Sequence, residues 1–387
     1  MLPLPLTLYV HLPWCIRKCP YCDFNSHALT GDLPEATYLP SLLADLDAEA
    51  ARAPGRSVHA VFFGGGTPSL FSAAAIGAIL DRAAARLDLT DDCEITLEAN
   101  PGASEAARFA GYRAAGVNRL SIGVQSFDDA MLARLGRVHD SADARRAIEA
   151  AQGAGFERVN LDLMHGLPGQ DAAGAVADLD AALAYGTGHQ SWYQLTLEPN
   201  TAFHREPPPL PDEDTLAAVQ DAGAARLDAA GYAQYEVSAW ARRGDESRHN
   251  LNYWRFGDYL GVGAGAHGKL TAADGAVVRR WKRRHPRAWV APDADRDEGE
   301  QRLDAATRRF EFLLNALRLR EGFDEALFRG RTGLELDTAD AAWHAAITRG
   351  LLEHVHGRWR ATDLGWRFLN DLQALFLPAD AQGNTLV

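Results

Sequence analysis

The chain predicts an α/β fold: a partial parallel (β/α)6 barrel followed by a small winged-helix-like α+β domain. Three observations predict it. Six short runs rich in β-branched and aliphatic residues alternate with segments of helical periodicity. Unusual polar and glycine-rich residues fall just after nearly every run, where a barrel collects its active-site loops. Beyond Asp304 the pattern changes to short helices and one hairpin.

Taken in order, the expected strands are Leu6–Leu12, Val58–Phe63, Glu94–Leu97, Arg119–Val124, Arg158–Leu163 and Trp192–Leu197. Between them the spacing predicts helices over Tyr38–Arg52, Ala74–Leu87, Ser104–Ala115, Ala142–Ala154 and Ala172–Tyr185, with Gly116, Gly155 and Gly186 at expected C-terminal caps. Strict strand–helix alternation demands parallel strands and right-handed crossovers, and each strand is apolar enough to be covered on both faces. The first strand-to-helix turn lacks a dinucleotide-binding glycine fingerprint, which favours a barrel over a Rossmann sheet. Glu206–Pro211 reads as a rigid linker before a helix over Asp214–Ala230, and Ala291–Glu300 as an acidic loop. Past it, Ala305–Leu319, Asp324–Arg329, Thr338–Arg349 and Asp363–Phe376 read as helices. Leu352–Val355 and Arg358–Ala361 read as a small β-wing around His356-Gly357. The expected division is a core barrel over 1–237, a connecting region over 238–303, a winged-helix-like domain over 304–377 and a tail over 378–387.

With 387 residues and 47% hydrophobic residues, the chain supports a real core. Its net charge of -13, from 39 basic and 52 acidic side chains, disfavours bulk nucleic-acid binding, even for the wing. No stretch approaches the roughly 20 apolar residues of a transmembrane helix, which leaves peripheral contact as the only membrane role. Met1–Leu6 lacks the basic start and cleavage site of a signal peptide. Few cysteines and no export signal point to a reducing cytoplasm.

Three of the four cysteines, Cys15, Cys19 and Cys22, crowd into the run after the first expected strand. Thiolates bind soft metals and iron–sulfur clusters. Three are one too few to close a four-iron cluster, so one iron would stay open. Structural zinc with His27 as fourth ligand is the competing reading, but zinc sites usually show two separate ligand pairs. Cys93 lies inside an expected strand and reads as a small core residue.

The spacing cysteine-x3-cysteine-x2-cysteine, with Tyr21 before the last thiol, resembles the radical S-adenosylmethionine superfamily. That resemblance implies a [4Fe-4S] cluster whose open iron is chelated by S-adenosylmethionine. The other strand-end residues suit such a ligand. Gly64, Gly65 and Gly66 let backbone approach closely, with Thr67 beside them. Glu98 and Asp162 suit ribose hydroxyls or a sulfonium cation, Gln125 can bond the same ligand, and Arg137 can answer a carboxylate. The runs Tyr9–Cys15, Phe63–Ser69, Glu98–Gly102, Ile122–Phe127 and Asn160–Met164 look like the oxygen-independent coproporphyrinogen III oxidase group. This closer resemblance implies cluster ligands Cys15, Cys19 and Cys22, and S-adenosylmethionine contacts from Tyr9, Tyr21, Gly65, Gly66, Thr67, Glu98, Gln125, Arg137 and Asp162.

Two departures separate the chain from the oxidase itself. Phe24 stands where the oxidase has a further cysteine, and the long N-terminal extension of the oxidase is missing. The run Cys22–His27 instead resembles the heme chaperone branch, which binds heme and delivers it to acceptor hemoproteins. His249-Asn250-Leu251-Asn252-Tyr253-Trp254 and Gly263–Gly268 match that branch too. His249, Tyr253 and His267 are therefore candidate heme ligands, histidine and tyrosine being usual axial donors. Trp254 and Phe256 are candidates to flank the macrocycle. Within Arg279–His285, basic side chains either meet heme propionates or lie on a solvated surface, the second being favoured. Two functions follow: heme binding and transfer, or oxygen-independent oxidative decarboxylation of coproporphyrinogen III through a radical abstracting hydrogen from a propionate. The first is preferred, which leaves enzymatic activity open.

Overall fold

The structure, a computed structural model, describes residues 4–102, 106–292 and 294–378. The first strand, β1 (Leu6–Leu12), is buried at every position but Tyr9. Its apolar side chains on both faces put it in the middle of a covered sheet. The minor strands β2 (Trp14–Cys15) and β3 (His27–Ala28) pair in parallel and close off the cysteine loop between them. Next come β4 (Ser57–Gly65), β5 (Asp88–Ala99), β6 (Arg119–Gln125), β7 (Arg158–His165) and β8 (His189–Gln194). Neighbours in the order β1-β4-β5-β6-β7-β8 run parallel, as the alternation predicts. Intervening helices at Glu35–Ala50, Ala73–Arg86, Phe109–Ala114, Ser141–Gly153 and Ala172–Leu183 bury Leu42, Ile76, Tyr112, Ile148 and Leu179 against the sheet. Ser72, Asp140 and Asp171 cap three of these helices at their N-termini. Gly116, Gly155 and Gly186 take the expected left-handed conformation, at φ 108°, 81° and 66°.

Among the boundaries that differ from the pattern in the sequence, three stand out in the barrel. The sixth strand is His189–Gln194 rather than Trp192–Leu197. It begins with buried polar side chains that hide it from an apolar-run reading: His189 bonds Asn160 at 2.6 Å and Tyr235 at 2.8 Å. The expected helix from Ser104 is described from Phe109, residues 103–105 lying outside the described residues. Third, β5 extends back to Asp88 through exposed Asp91 and Asp92, which no apolar periodicity marks.

Between residues 233 and 302 the sheet grows at both ends. At the β8 edge, β9 (Ala233–Glu236) and β10 (Ala239–Ala241) add antiparallel. On the far side of β1, β11 (Asp258–Val262) adds parallel, then β12 (His267–Thr271), β13 (Val277–Lys282) and β14 (Asp297–Arg302) follow antiparallel. The result is one open twelve-stranded mixed sheet, the partial barrel, with β14 and β9 at its ends. The stretch read as an acidic loop thus runs into β14, an outer strand whose charged, exposed residues are what an edge requires.

The C-terminal part holds helices Ala305–Ala316, Glu325–Thr332 and Ala341–Thr348, then the wing β15 (Leu352–Val355) and β16 (Arg358–Ala361). Two short helices, Asp363–Arg367 and Leu369–Ala374, replace the single one expected, because the backbone leaves the helical region at Phe368. Phe310, Phe312, Phe323, Phe328 and Trp343 form this core, and Val277 of β13 and Phe256, in the turn before β11, belong to it. The tail beyond Leu377 lies almost wholly outside the described residues. No helix among the described residues is long and apolar enough to cross a membrane.

Candidate functional site at the open end of the sheet

The cysteine loop leaves the C-terminal end of β1, where a parallel barrel presents its loops. All three thiols are half-buried and none is in a disulfide. Polar hydrogens point at their sulfurs: the Thr67 hydroxyl donates to Cys15 at 3.5 Å and Arg137 Nη1 to Cys19 at 3.4 Å. The Ser26 hydroxyl is 3.8 Å from Cys22 Sγ. Burial pushes the Cys15 and Cys22 thiols up, opposed in part by those hydroxyls. Soft ligands on one short loop, ringed by hydrogen-bond donors, fit an iron–sulfur cluster. Among the described residues no three His, Cys, Asp or Glu side chains close on one point, as a single zinc ion requires. Cys93 is buried in β5, as expected of a core residue.

Arg137 ties several parts of the site together. Besides Cys19, it donates to the Tyr21 hydroxyl at 3.4 Å, Asn100 Oδ1 at 2.6 Å and the Gly123 carbonyl at 3.1 Å. Asn100 in turn donates to Thr67 at 2.7 Å. The ends of β4, β5 and β6 and the cysteine loop thereby share one hydrogen-bonded hub. Gln125 ends β6 with φ at 70°, a strained value for a non-glycine residue, and accepts from the Tyr193 hydroxyl at 2.8 Å.

Gly65 (φ 108°) and Gly66 pack their backbone closely against β1 and the start of the cysteine loop. A Cβ on Gly65 would fall 2.4 Å from the His11 ring, and one on Gly66 would fall 2.5 Å from the Trp14 carbonyl oxygen. Burial and the Asp162 charge raise Glu98 to about 8, against a hydrogen bond from the Gly65 backbone. Asp162 is also raised by burial, although Ser121 and Asn160 donate to it at 2.9 and 2.8 Å. Two carboxylates this costly to ionise alone suit a cationic, hydroxylated ligand.

A cavity of about 690 Å³ opens beside these strand ends. Tyr9, Gly65 and Glu98 line one side, and Tyr253, Tyr259, His267, Trp281 and Arg284 the other. The structure thus joins S-adenosylmethionine candidates and two heme candidates in one space. His249 is not in its lining. Its buried ring packs against both Phe62, at 4.7 Å and 22°, and Tyr9, at 6.1 Å and 25°. Burial lowers it to about 3. Trp254 lies under Arg318 and Phe256 in the C-terminal core, so neither lines the cavity. The basic run has several destinations: Arg279 binds Glu311 and Lys282 is buried among carboxylates, while Trp281 and Arg284 reach the cavity.

Sequence reasoning assigned no role to His11, Asn25 or Asn100. The Tyr9 hydroxyl is 3.0 Å from His11 Nδ1, and His11 Nε2 is 2.9 Å from the Asn25 carbonyl. Asn25 donates to the carbonyls of Ala264 and Arg284, fastening the cysteine loop to the far cavity wall. The only signal for these three was their position inside the quoted motifs.

Residues 9–181 match the radical SAM superfamily, and residues 303–368 match the HemN C-terminal domain. The heme chaperone HemW of Escherichia coli (strain K12) is 50% identical over 373 residues, spanning 96% of this chain and 98% of that protein. HemW of Mycobacterium tuberculosis (strain ATCC 25618 / H37Rv) is 39% identical over 377 residues, 95% of this chain and 93% of the other. Among solved structures, the coproporphyrinogen III oxidase HemN of Escherichia coli superposes with a TM-score of 0.81 at 22% identity. That match covers 97% of this chain and 90% of the other, and it shows the shared fold.

Proposed function

The chain belongs to the HemW family, and from that premise we propose that it binds heme and transfers it to acceptor hemoproteins. The observation carrying this reading is 50% identity to a heme chaperone along nearly the whole of both chains. Phe24, exposed where the oxidase group has a cysteine, supports chaperone use over porphyrin synthesis. In this reading Cys15, Cys19 and Cys22 hold a [4Fe-4S] cluster with S-adenosylmethionine at its open iron, and the protein works in the cytoplasm. When bound, these groups supply one-electron redox chemistry.

The chain's own residues do the remaining work. Gly65 and Gly66 expose backbone to the ligand, and Tyr9 and Thr67 border it. Glu98 and Asp162 offer negative charge to its cationic and hydroxylated parts. Gln125 and Tyr21 line its approach, and Arg137 keeps the cysteine loop against the strand ends. Heme, as cargo, enters the adjoining cavity, where Tyr253 and His267 face it and His249 stands behind the aromatic wall.

Anaerobic reconstitution with iron and sulfide, followed by parallel titration with hemin and S-adenosylmethionine, tests the reading. The expected result is stoichiometric hemin uptake, transfer to an apo-hemoprotein, and no protoporphyrinogen from coproporphyrinogen III. Decarboxylation without hemin uptake overturns it.

A further inference from the structure

We infer that His267, rather than the more deeply set His249, gives heme iron its axial nitrogen, with the macrocycle lying against Trp281 and a propionate meeting Arg284. This rests on the chaperone reading and assigns the cargo's position within it.

The geometry is that of a small strand platform. His267 opens β12 and stands directly opposite Trp281 of β13 in the antiparallel register. Directly opposed residues point to the same face, so an imidazole and an indole share one wall. Trp281 itself opposes Gly299 of β14. A Cβ at 299 would fall 2.1 Å from the indole, so the ring rests on bare backbone there. A flat aromatic surface beside a nitrogen donor is what a metalloporphyrin recognises. Arg284 is exposed at the same cavity and is a fitting partner for a carboxylate.

Three competing donors, His249, Tyr259 and Tyr9, are occupied or screened. His249 is closed in by Phe62 and Tyr9 and meets Tyr253 edge-on at 4.6 Å, so reaching iron requires that stack to open. The Tyr259 hydroxyl accepts from Arg279 at 2.8 Å, and that of Tyr9 is engaged with His11. His267 is exposed at the cavity. Partial enclosure of the ring by the cavity walls, with the guanidinium groups of Arg279 and Arg284, holds it below its ordinary value.

The test uses the full chain with hemin and compares wild type with His267→Ala, His249→Phe and Tyr253→Phe. Phenylalanine at 249 preserves the ring stack, which separates ligation from packing. Wild type, His249→Phe and Tyr253→Phe are expected to show the visible spectrum of imidazole-ligated hemin. His267→Ala is expected to lose that spectrum and bind hemin about tenfold more weakly. Added imidazole is expected to restore it. A wild-type spectrum in His267→Ala, or its loss in His249→Phe alone, overturns the inference. Wild-type protein that takes up no hemin overturns the chaperone reading itself.

Discussion

Glu98 faces the charge of Asp162 across the strand ends, and burial with that repulsion lifts its carboxyl to about 8. A carboxyl raised in the folded state binds more protons there than in the unfolded chain. Stability therefore falls as pH rises from the ordinary 4.5 through about 8. A cationic ligand beside Glu98 favours the ionised form and offsets that loss. Hence the affinity of reconstituted protein for S-adenosylmethionine is expected to strengthen as pH rises toward about 8. In Glu98→Gln that pH dependence should flatten, and calorimetric titration at several pH values checks it. Arg137 acts through geometry as well as charge. Arg137→Ala strands acceptors on Asn100 and Gly123 and should cost about 2 kcal/mol. Arg137→Lys should recover little, lacking the planar fork. Iron bound per chain after reconstitution is expected to fall in both variants, and full iron loading of Arg137→Ala would refute the hub's role.

At the scale of an element, the turn after β4 shows how backbone shape serves the site. Gly65 needs both a positive φ and an open Cβ position against His11. Gly65→Ala should lower stability by about 2 kcal/mol, read as a shifted urea midpoint, and should weaken S-adenosylmethionine binding too. The strand β13 makes a different point. Its basic run looks uniform in the sequence, but the two-residue strand period sends neighbouring side chains to opposite faces. Charge composition alone could not separate those destinations.

Across the whole molecule, Lys282 pins the β12–β14 extension to the helix Glu35–Ala50. Its buried ammonium meets Asp45, Glu49 and Asp297 at 2.9, 2.6 and 2.7 Å. Lys282→Met leaves Asp45 without its cation and Glu49 and Asp297 with Arg52 alone, and should cost about 3 kcal/mol. Since this extension carries His267 and Trp281, hemin uptake should fall with stability; a thermal melt with hemin titration checks both. The C-terminal part is bound just as firmly, because Phe256 and Val277 sit in its core. Ending the chain after residue 303 exposes that apolar surface, and the product is expected to bind a hydrophobic dye and aggregate.

The sequence by itself determined the family and the central architecture. Cysteine spacing is local, parallel strands advertise themselves as apolar runs, and glycines appear wherever backbone must come close. It was less telling where polar residues build strands, as at His189 in β8 and Asp297–Arg302 in β14, because their partners lie far away in the chain. Tertiary structure alone decided which candidate donors share the cavity. His249 and His267 look equivalent as letters in two motifs. Packing buries the first against Phe62 and Tyr9, whereas strand register sets the second on an open wall beside Trp281. The difference arises from pairing between distant segments, which local residue pattern does not encode.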